Sequence, residues 1–316
     1  KRQGWAPCKS LFHERIQTMS TSRKIGMIGV GMMGHGIATN LVKHGHQLQV
    51  LEHAGNQPLD ALRAAGVTTV QSPAELTRDN EIILLCVTGS PQVEAVLLGS
   101  NGILAGLKPG TVIIDCSTAL PSSTQKIAQQ VAAAGGKFLD APMTRTPKEA
   151  AQGRLNLLVG GDRDLYDLCH PVLSCFAENI THAGVVGDGH RMKLLHNYVS
   201  LGFIALLCEA AACANKAGIE PSVLVEVLSK GGGGSAALDR LSPFLLRGDH
   251  SALKFSMSNA RKDLDYYCTM ADQAQALHAI SDSILYTYTL GTHAAGNDAG
   301  VLELAQILSQ AAGKPN

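Results

Sequence analysis

No two cysteines of this 316-residue chain stand in a CxxC pair, although eight are present. Three of them (Cys86, Cys208 and Cys213) fall in apolar runs. Thiols scattered in this way read as buried residues of a reducing compartment, not as a disulfide framework. Metal-ligand spacing is missing too. Twelve histidines form no HExxH or comparable pattern, so no metal site is expected. Nor is there an excess charge of either sign: 26 basic residues face 26 acidic ones, which steers the chain toward neither nucleic acid nor an anionic membrane. The longest apolar run, Val199–Ala214, is broken by Glu209 and is too short to span a bilayer comfortably. Lys1–Thr18 holds no apolar segment of the kind a secretory signal needs. Met19 reads as a natural start, and residues 1–18 as a non-native or disordered extension. A transit peptide is the alternative, against which Glu14 counts. What remains is a cytoplasmic globular protein, long enough for two domains.

Strand-like and helix-like segments alternate through the first half. Lys24–Val30 reads as a strand, Gly29-Val-Gly-Met-Met-Gly34 as a turn, and the segment to Lys43 as a helix. This places GxGxxG where it carries information. Gly29 allows the tight turn, Gly31 admits a pyrophosphate and Gly34 lets helix and strand pack. Val30, Met32 and Met33 complete the loop, and the helix N-terminus offers amides to the phosphates. The second strand, Gln47–Leu51, ends at Glu52, where a carboxylate can bond the adenosine ribose. Glu52 also repels a 2′-phosphate, which favours NAD while leaving NADP possible. Its alternative is a solvated strand-end carboxylate. Further units predict a doubly wound parallel sheet of Rossmann type over residues 19–186, with ligands beyond the carboxyl ends of its strands. Loops leave that edge at Val87-Thr88, at Ser117-Thr118 and at Ala141–Thr146. In the last, Thr144 and Thr146 offer hydroxyls and Arg145 a fork for a carboxylate, sulfonate or phosphate. Arg145 could equally be a rim residue pairing with Glu149.

From residue 187 onward strand signals nearly vanish, which predicts an all-helical domain over 187–316. The stretch Gly184–Ser200 joins the two, a glycine turn running into a long apolar helix. At helical spacing Lys193, His196, Asn197 and Ser200 point one way, and Met192, Leu195, Val199, Ile204 and Leu207 are expected to be buried. A lysine facing inward loses solvation, and its pKa falls toward the range useful for proton transfer. A snorkelling lysine on a core helix is the alternative.

With these residues in place, the chain resembles the β-hydroxyacid dehydrogenase family over nearly all of Lys24–Leu308. Four motifs carry the likeness. They are Ile28-Gly-Val-Gly-Met-Met-Gly34 with Asn40-Leu41 and Gly45-His46, then Asp140-Ala-Pro-Met-Thr144 with Gly153 and Val159-Gly-Gly161. Gly187-x-Gly189-x-x-x-Lys193-x-x-x-Asn197 follows, and then Phe255 through Lys262-Asp263-Leu264 after Gly248-Asp249. The resemblance implies Lys193 as general acid/base, Asn197 holding the substrate, Thr144 binding its acid group, Ser117-Thr118 near the nicotinamide and Lys262 near the cofactor. It also implies a homodimer or homotetramer acting on a small anionic semialdehyde or hydroxy acid. Two departures stand out. Thr144-Arg145-Thr146 replaces the common Ser-Gly-Gly, and His196 replaces an asparagine. The first, with Asn197-Tyr198 and Ser200, is similar to the branch containing sulfolactaldehyde reductase, whose pocket grips a sulfonate. Imine reductases on this scaffold generally lack the lysine. A non-catalytic nucleotide-binding protein is the reading from another class.

Overall fold

The structure, a computed structural model, describes residues 22–311. The segment 1–18, read above as an extension, lies outside them. The chain opens with β1 (Lys24–Ile28), α1 (Gly34–Lys43), β2 (Gln47–Leu51), α2 (Asp60–Ala64), β3 (Thr68–Val70) and α3 (Pro73–Asp79). It continues through β4 (Ile82–Leu85), α4 (Ser90–Leu98), α5 (Ile103–Gly106), β5 (Val112–Asp115), α6 (Pro121–Ala133) and β6 (Lys137–Asp140). Next come β7 (Met143–Thr144), α7 (Pro147–Ala151), β8 (Leu155–Gly160), α8 (Arg163–Leu173) and β9 (Ala177–Gly184). The strands join one sheet in the order β3-β2-β1-β4-β5-β6-β8-β7, with β9 paired to β8. Residues alternate between its faces. Ile82 and Leu84 enter the core shared with α1 and α8, while Ile83 and Leu85 enter the one shared with α3, α4 and α6. Strands buried on both faces carry continuous apolar runs, which is why Ile-Ile-Leu-Leu of β4 reads as it does.

The sheet is not parallel throughout. β1 to β6 pair in parallel, but β8 runs antiparallel to β6 and to β7. The cause is local. β7 folds back on β8 through the five-residue α7, and so short a return reverses direction where a full crossover would have preserved it.

The second half is helical: α9 (Asp188–Lys216), α10 (Pro221–Lys230), α11 (Ala236–Arg247), α12 (Met257–Gln273), α13 (Ala279–Ala295) and α14 (Leu304–Ala311). α9 runs through its centre, and α9 alone among the described residues is long and apolar enough, by length and composition, to cross a membrane. Leu201, Ile204, Ala205 and Cys208 build a core with Leu238, Leu241, Leu264, Tyr288 and Leu304. The expected burial of Met192, Leu195 and Val199 is overturned; they are 44%, 40% and 51% exposed. The helix is apolar nearly all round, so hydrophobicity could not choose its inner face. The arc through Leu194, Asn197, Leu201, Ile204 and Cys208 goes inward instead. Cys213 is exposed as well, contrary to expectation, while Cys208 is buried; the seven cysteines among the described residues are unpaired.

One carboxylate ties α9 to the sheet. Asp140, fully buried at the end of β6, accepts from the Gly187 N–H at 2.7 Å and the His190 N–H at 2.9 Å. The approach is close enough that a Cβ on Gly189 would lie 2.3 Å from the Leu158 carbonyl oxygen. His190, also buried, meets Thr124 Oγ1 at 2.8 Å through Nδ1 and donates from Nε2 to the Ser117 carbonyl at 3.1 Å. Asp140→Ala orphans two buried donors and should cost about 2–6 kcal/mol in urea unfolding, at about 1–3 kcal/mol for each unmet group. A loss below about 1 kcal/mol would remove Asp140 from this role.

Candidate active site

The glycine loop behaves as its spacing requires. Gly29 has φ +93°, and a Cβ there would meet the Cys86 carbonyl oxygen at 2.3 Å. A Cβ on Gly34 would meet the Gly29 oxygen at 2.0 Å, whereas one on Gly31 finds only the Gly55 oxygen, at 3.9 Å. The loop therefore packs tightly at both ends and is open in the middle. No side chain caps the N-terminus of α1 and no acidic residue occupies its first turn, so its amides fit a pyrophosphate. Met32 is largely exposed beside this opening and Met33 half-buried. Val30 has a structural part: its N–H donates to Asn56 Oδ1 at 3.1 Å and its carbonyl accepts from the Gln57 N–H at 2.8 Å.

Glu52 stands just past β2, but its carboxylate is not free. It accepts from Arg63 Nη2 at 2.5 Å and from Gln71 Nε2 at 2.5 Å. The sequence shows no arginine directly after Glu52; α2 supplies one from eleven residues on. Ser117 is engaged by the protein as well. It is buried, and its Oγ accepts from the Val87 N–H at 3.0 Å, so it fixes the loop after β4. Thr88 and Thr118 keep more surface.

Lys193 is half-buried as a residue, while its ammonium end is enclosed by protein. Burial lowers its pKa to about 8, the charge of Lys262 adds to this, and the carboxylate of Asp263 opposes it. Asp263, from α12, is buried and was not singled out by the sequence reading. Its Oδ2 accepts from Asn197 Nδ2 at 2.6 Å, and Asn197 Oδ1 lies 3.0 Å from the ring Nδ1 of His196. Its Oδ1 lies 3.0 Å from Lys262 Nζ, a charge contact without hydrogen-bond alignment. Lys262 in turn donates to the Thr88 carbonyl, and the Ser90 N–H donates to the Tyr266 hydroxyl at 3.2 Å. α12 thereby docks on the β4 loop and brings Asn197, Asp263 and Lys262 beside the edge where the cofactor loop opens. The Lys-Asp pair within the fourth motif was the available signal for Asp263.

The other sequence-selected residues separate. Thr144 is buried and accepts from Asn156 Nδ2 at 3.0 Å, leaving its hydroxyl hydrogen to give. Thr146 and Glu149 form a capping box on α7, so that hydroxyl serves the helix. Arg145 sits at φ +82° and its guanidinium pairs with Glu178 of β9 and the Arg154 carbonyl, not with Glu149. His196 is exposed, and Ser200 donates to the Asn197 carbonyl at 3.3 Å.

Known proteins resemble the chain in both halves. Residues 24–184 match the family model described as the NAD binding domain of 6-phosphogluconate dehydrogenase. Residues 187–308 match the one described as NAD-binding of NADP-dependent 3-hydroxyisobutyrate dehydrogenase. The 2-(hydroxymethyl)glutarate dehydrogenase of Eubacterium barkeri is 33% identical over 247 residues, 78% of this chain and 81% of that one. The cytokine-like nuclear factor N-PAC of Homo sapiens is 30% identical over 252 residues, 80% of this chain; the chain spans only 45% of that relative's length. Among solved structures, the 3-hydroxyisobutyrate dehydrogenase of Mycobacterium tuberculosis has a TM-score of 0.80 at 24% identity, covering 91% of this chain and 99% of that one. That likeness establishes a shared fold.

An unfolded lysine titrates near 10.5, so between pH 8 and 10.5 the unfolded chain keeps a proton that folded Lys193 has released. Stability then rises with pH through that window, and below it the buried ammonium is a net cost. Lys193→Met should therefore stabilise the protein at pH 7 by on the order of 1–3 kcal/mol, fading toward pH 10. Denaturant unfolding at both pH values tests this, and an equal effect at each would contradict it.

Proposed function

The chain belongs to the β-hydroxyacid dehydrogenase family of NAD(P)-dependent enzymes, and from that premise we propose that it interconverts a short β-hydroxy acid, or hydroxy-sulfonate, and its semialdehyde. The observation that carries this is Lys193, an enclosed ammonium with a pKa of about 8 beside Asn197 and Asp263. A group titrating there exchanges protons near neutral pH, which an ordinary lysine does not.

Bound NAD(P) supplies or accepts the hydride at the substrate carbon. The chain's part is the proton and the placement. Lys193 donates to the carbonyl oxygen during reduction and takes the hydroxyl proton during oxidation. Asn197, held by Asp263, keeps that oxygen in reach of Lys193. The remote acid group falls to Thr144 and Ser200, and positioning of this kind contributes several kcal/mol. Gly29, Gly31 and Gly34 with the start of α1 would hold the pyrophosphate. Glu52 would receive the adenosine ribose and favour NAD over NADP. The sulfonate reading rests on Arg145, which must leave Glu178 to reach a substrate; a carboxylate semialdehyde makes no such demand.

Steady-state turnover tests these points together, with NADH and NADPH offered against sulfolactaldehyde, succinic, tartronate and methylmalonate semialdehydes. Reduction should need protonated Lys193 and decline above about pH 8, while oxidation should decline below it. Lys193→Met should lower turnover about 10²–10⁴-fold and keep NADH affinity within a few-fold. Persistent turnover would remove Lys193 from the acid/base role. Preference for NADPH would do the same for the Glu52 argument. A sulfonate preference lost in Arg145→Gly would restore Arg145 to the pocket. The second reading is a nucleotide-binding protein without chemistry, which NADH oxidation by any semialdehyde eliminates.

The family resemblance also suggests a homodimer or homotetramer. Met192, Leu195, Val199, Phe203 and Leu206 form one exposed apolar stripe along α9, which supports assembly with a second copy. Light scattering should show Phe203→Asp/Leu206→Asp shifted to the monomer mass; an unchanged mass would place the contact elsewhere.

A further inference from the structure

At the opposite end of α12 from Lys262, the turn into α13 gathers three kinds of metal donor. Cys268 Sγ, a ring nitrogen of His278 and a carboxylate oxygen of Asp282 lie within 4.8 Å of one another. Cys268 is buried and its thiol touches Ser281 Oγ at 3.4 Å. His278 Nδ1 faces Asp282 Oδ1 at 2.9 Å, and its Nε2 meets Asp272 Oδ1 at 2.7 Å. None of these residues takes part in the site described above. Their spacing, ten residues and then four, crosses a helix-turn-helix and matches no linear metal motif, so the sequence did not reveal it.

We propose that Cys268, His278 and Asp282 bind a zinc ion, with Asp272 orienting the imidazole. The donor set selects the metal. One thiolate, one imidazole and one carboxylate suit Zn²⁺ in a four-coordinate site whose last position belongs to water, whereas Mg²⁺ and Ca²⁺ take oxygen ligands. Typical zinc–ligand distances of about 2.0–2.3 Å require small shifts of the three donors, with His278 Nδ1 and Asp282 Oδ1, now 2.9 Å apart, parting slightly to admit the ion. Two of the three side chains are anchored on helix turns that face each other across this junction, so the movement is one of side-chain rotation. Asp272 supplies what a metal-bound histidine usually has, a carboxylate on the distal ring nitrogen that fixes the tautomer and raises the basicity of the other.

The step is a proton exchange without redox change. Bonds form from zinc to Sγ, Nδ1 and a carboxylate oxygen of Asp282. The Cys268 thiol proton leaves to solvent, and so does any proton on Nδ1, while Nε2 keeps its hydrogen toward Asp272. The ion would clip the C-terminal end of α12 to the first turn of α13. Both helices pack on α9, and α12 carries Asp263 and Lys262, so the clip would stabilise the helical domain without entering the catalytic cleft.

Cobalt(II) is the probe, added to protein freed of metal with a chelator. One equivalent should give the thiolate-to-cobalt charge-transfer band in the near ultraviolet, and zinc should displace it. The band should vanish in Cys268→Ser and weaken strongly in His278→Gln and Asp282→Asn, but persist in Cys213→Ser, which removes the exposed thiol. Zinc at 100-fold over its Kd should raise the wild-type melting temperature by about 5 °C and leave that of His278→Gln unmoved. Absence of the band in the wild type would overturn the proposal, as would a band that survives all three ligand substitutions. If Cys268→Ser fails to fold, the other two variants decide.

Discussion

The Asp140 carboxylate is the joint on which the two halves turn. It sits at the end of β6, without solvent, and spends both oxygens on the N–H groups of Gly187, which precedes α9, and of His190 in its first turn. A charge so placed must be fully paired, because the alternative is an anion in a low-dielectric interior. Those two bonds therefore set the height and rotation of α9 against the strand ends. Lys193 lies three residues beyond His190, less than one turn on, so its position over the sheet edge is inherited from that joint. His190 reinforces it through Thr124 of α6 and the Ser117 carbonyl of the loop after β5, and Ser117 Oγ in turn accepts from the Val87 N–H of the β4 loop that α12 braces.

A second constraint is electrostatic. The cleft holds Lys193 and Lys262 close together with a single buried carboxylate, Asp263, between their demands. Two ammonium groups and one carboxylate leave an excess positive charge, which burial alone would relieve by deprotonating the more enclosed lysine. Asp263 limits that shift, and its second oxygen is committed to Asn197. The same side chain thus acts on the charge of Lys193 and on the orientation of the Asn197 amide. Lys262 also donates to the Thr88 carbonyl.

Much of this was legible in the sequence, and the rest was not for identifiable reasons. Local signals succeeded: GxGxxG between strand and helix, β2 over Gln47–Leu51 and the long helix carrying Lys193 with Asn197. Periodicity failed where it had no contrast. α9 is apolar nearly all round, so nothing in its composition said that Met192, Leu195 and Val199 would face outward. Short elements such as β7 and α7 were invisible, and with them the reversal of β8, since two-residue strands exist only through their partners. Asp263 and the Cys268–His278–Asp282 group needed tertiary neighbours to acquire meaning.

Arg145 shows the limit most sharply. Its place in the chain follows from the motif, and its left-handed backbone turns the segment after β7. What a guanidinium does there depends on the nearest carboxylate, and β9 offers Glu178 from thirty-three residues away. A solvent-screened pair of this sort is weak, so a substrate sulfonate or carboxylate could compete for the same fork. The pair is thus a threshold and not a barrier. A substrate whose acid group can satisfy Arg145 better than Glu178 would recruit it, and a shorter one would leave it where it is. Selectivity would then follow the reach of the substrate's acid group as much as its chemistry.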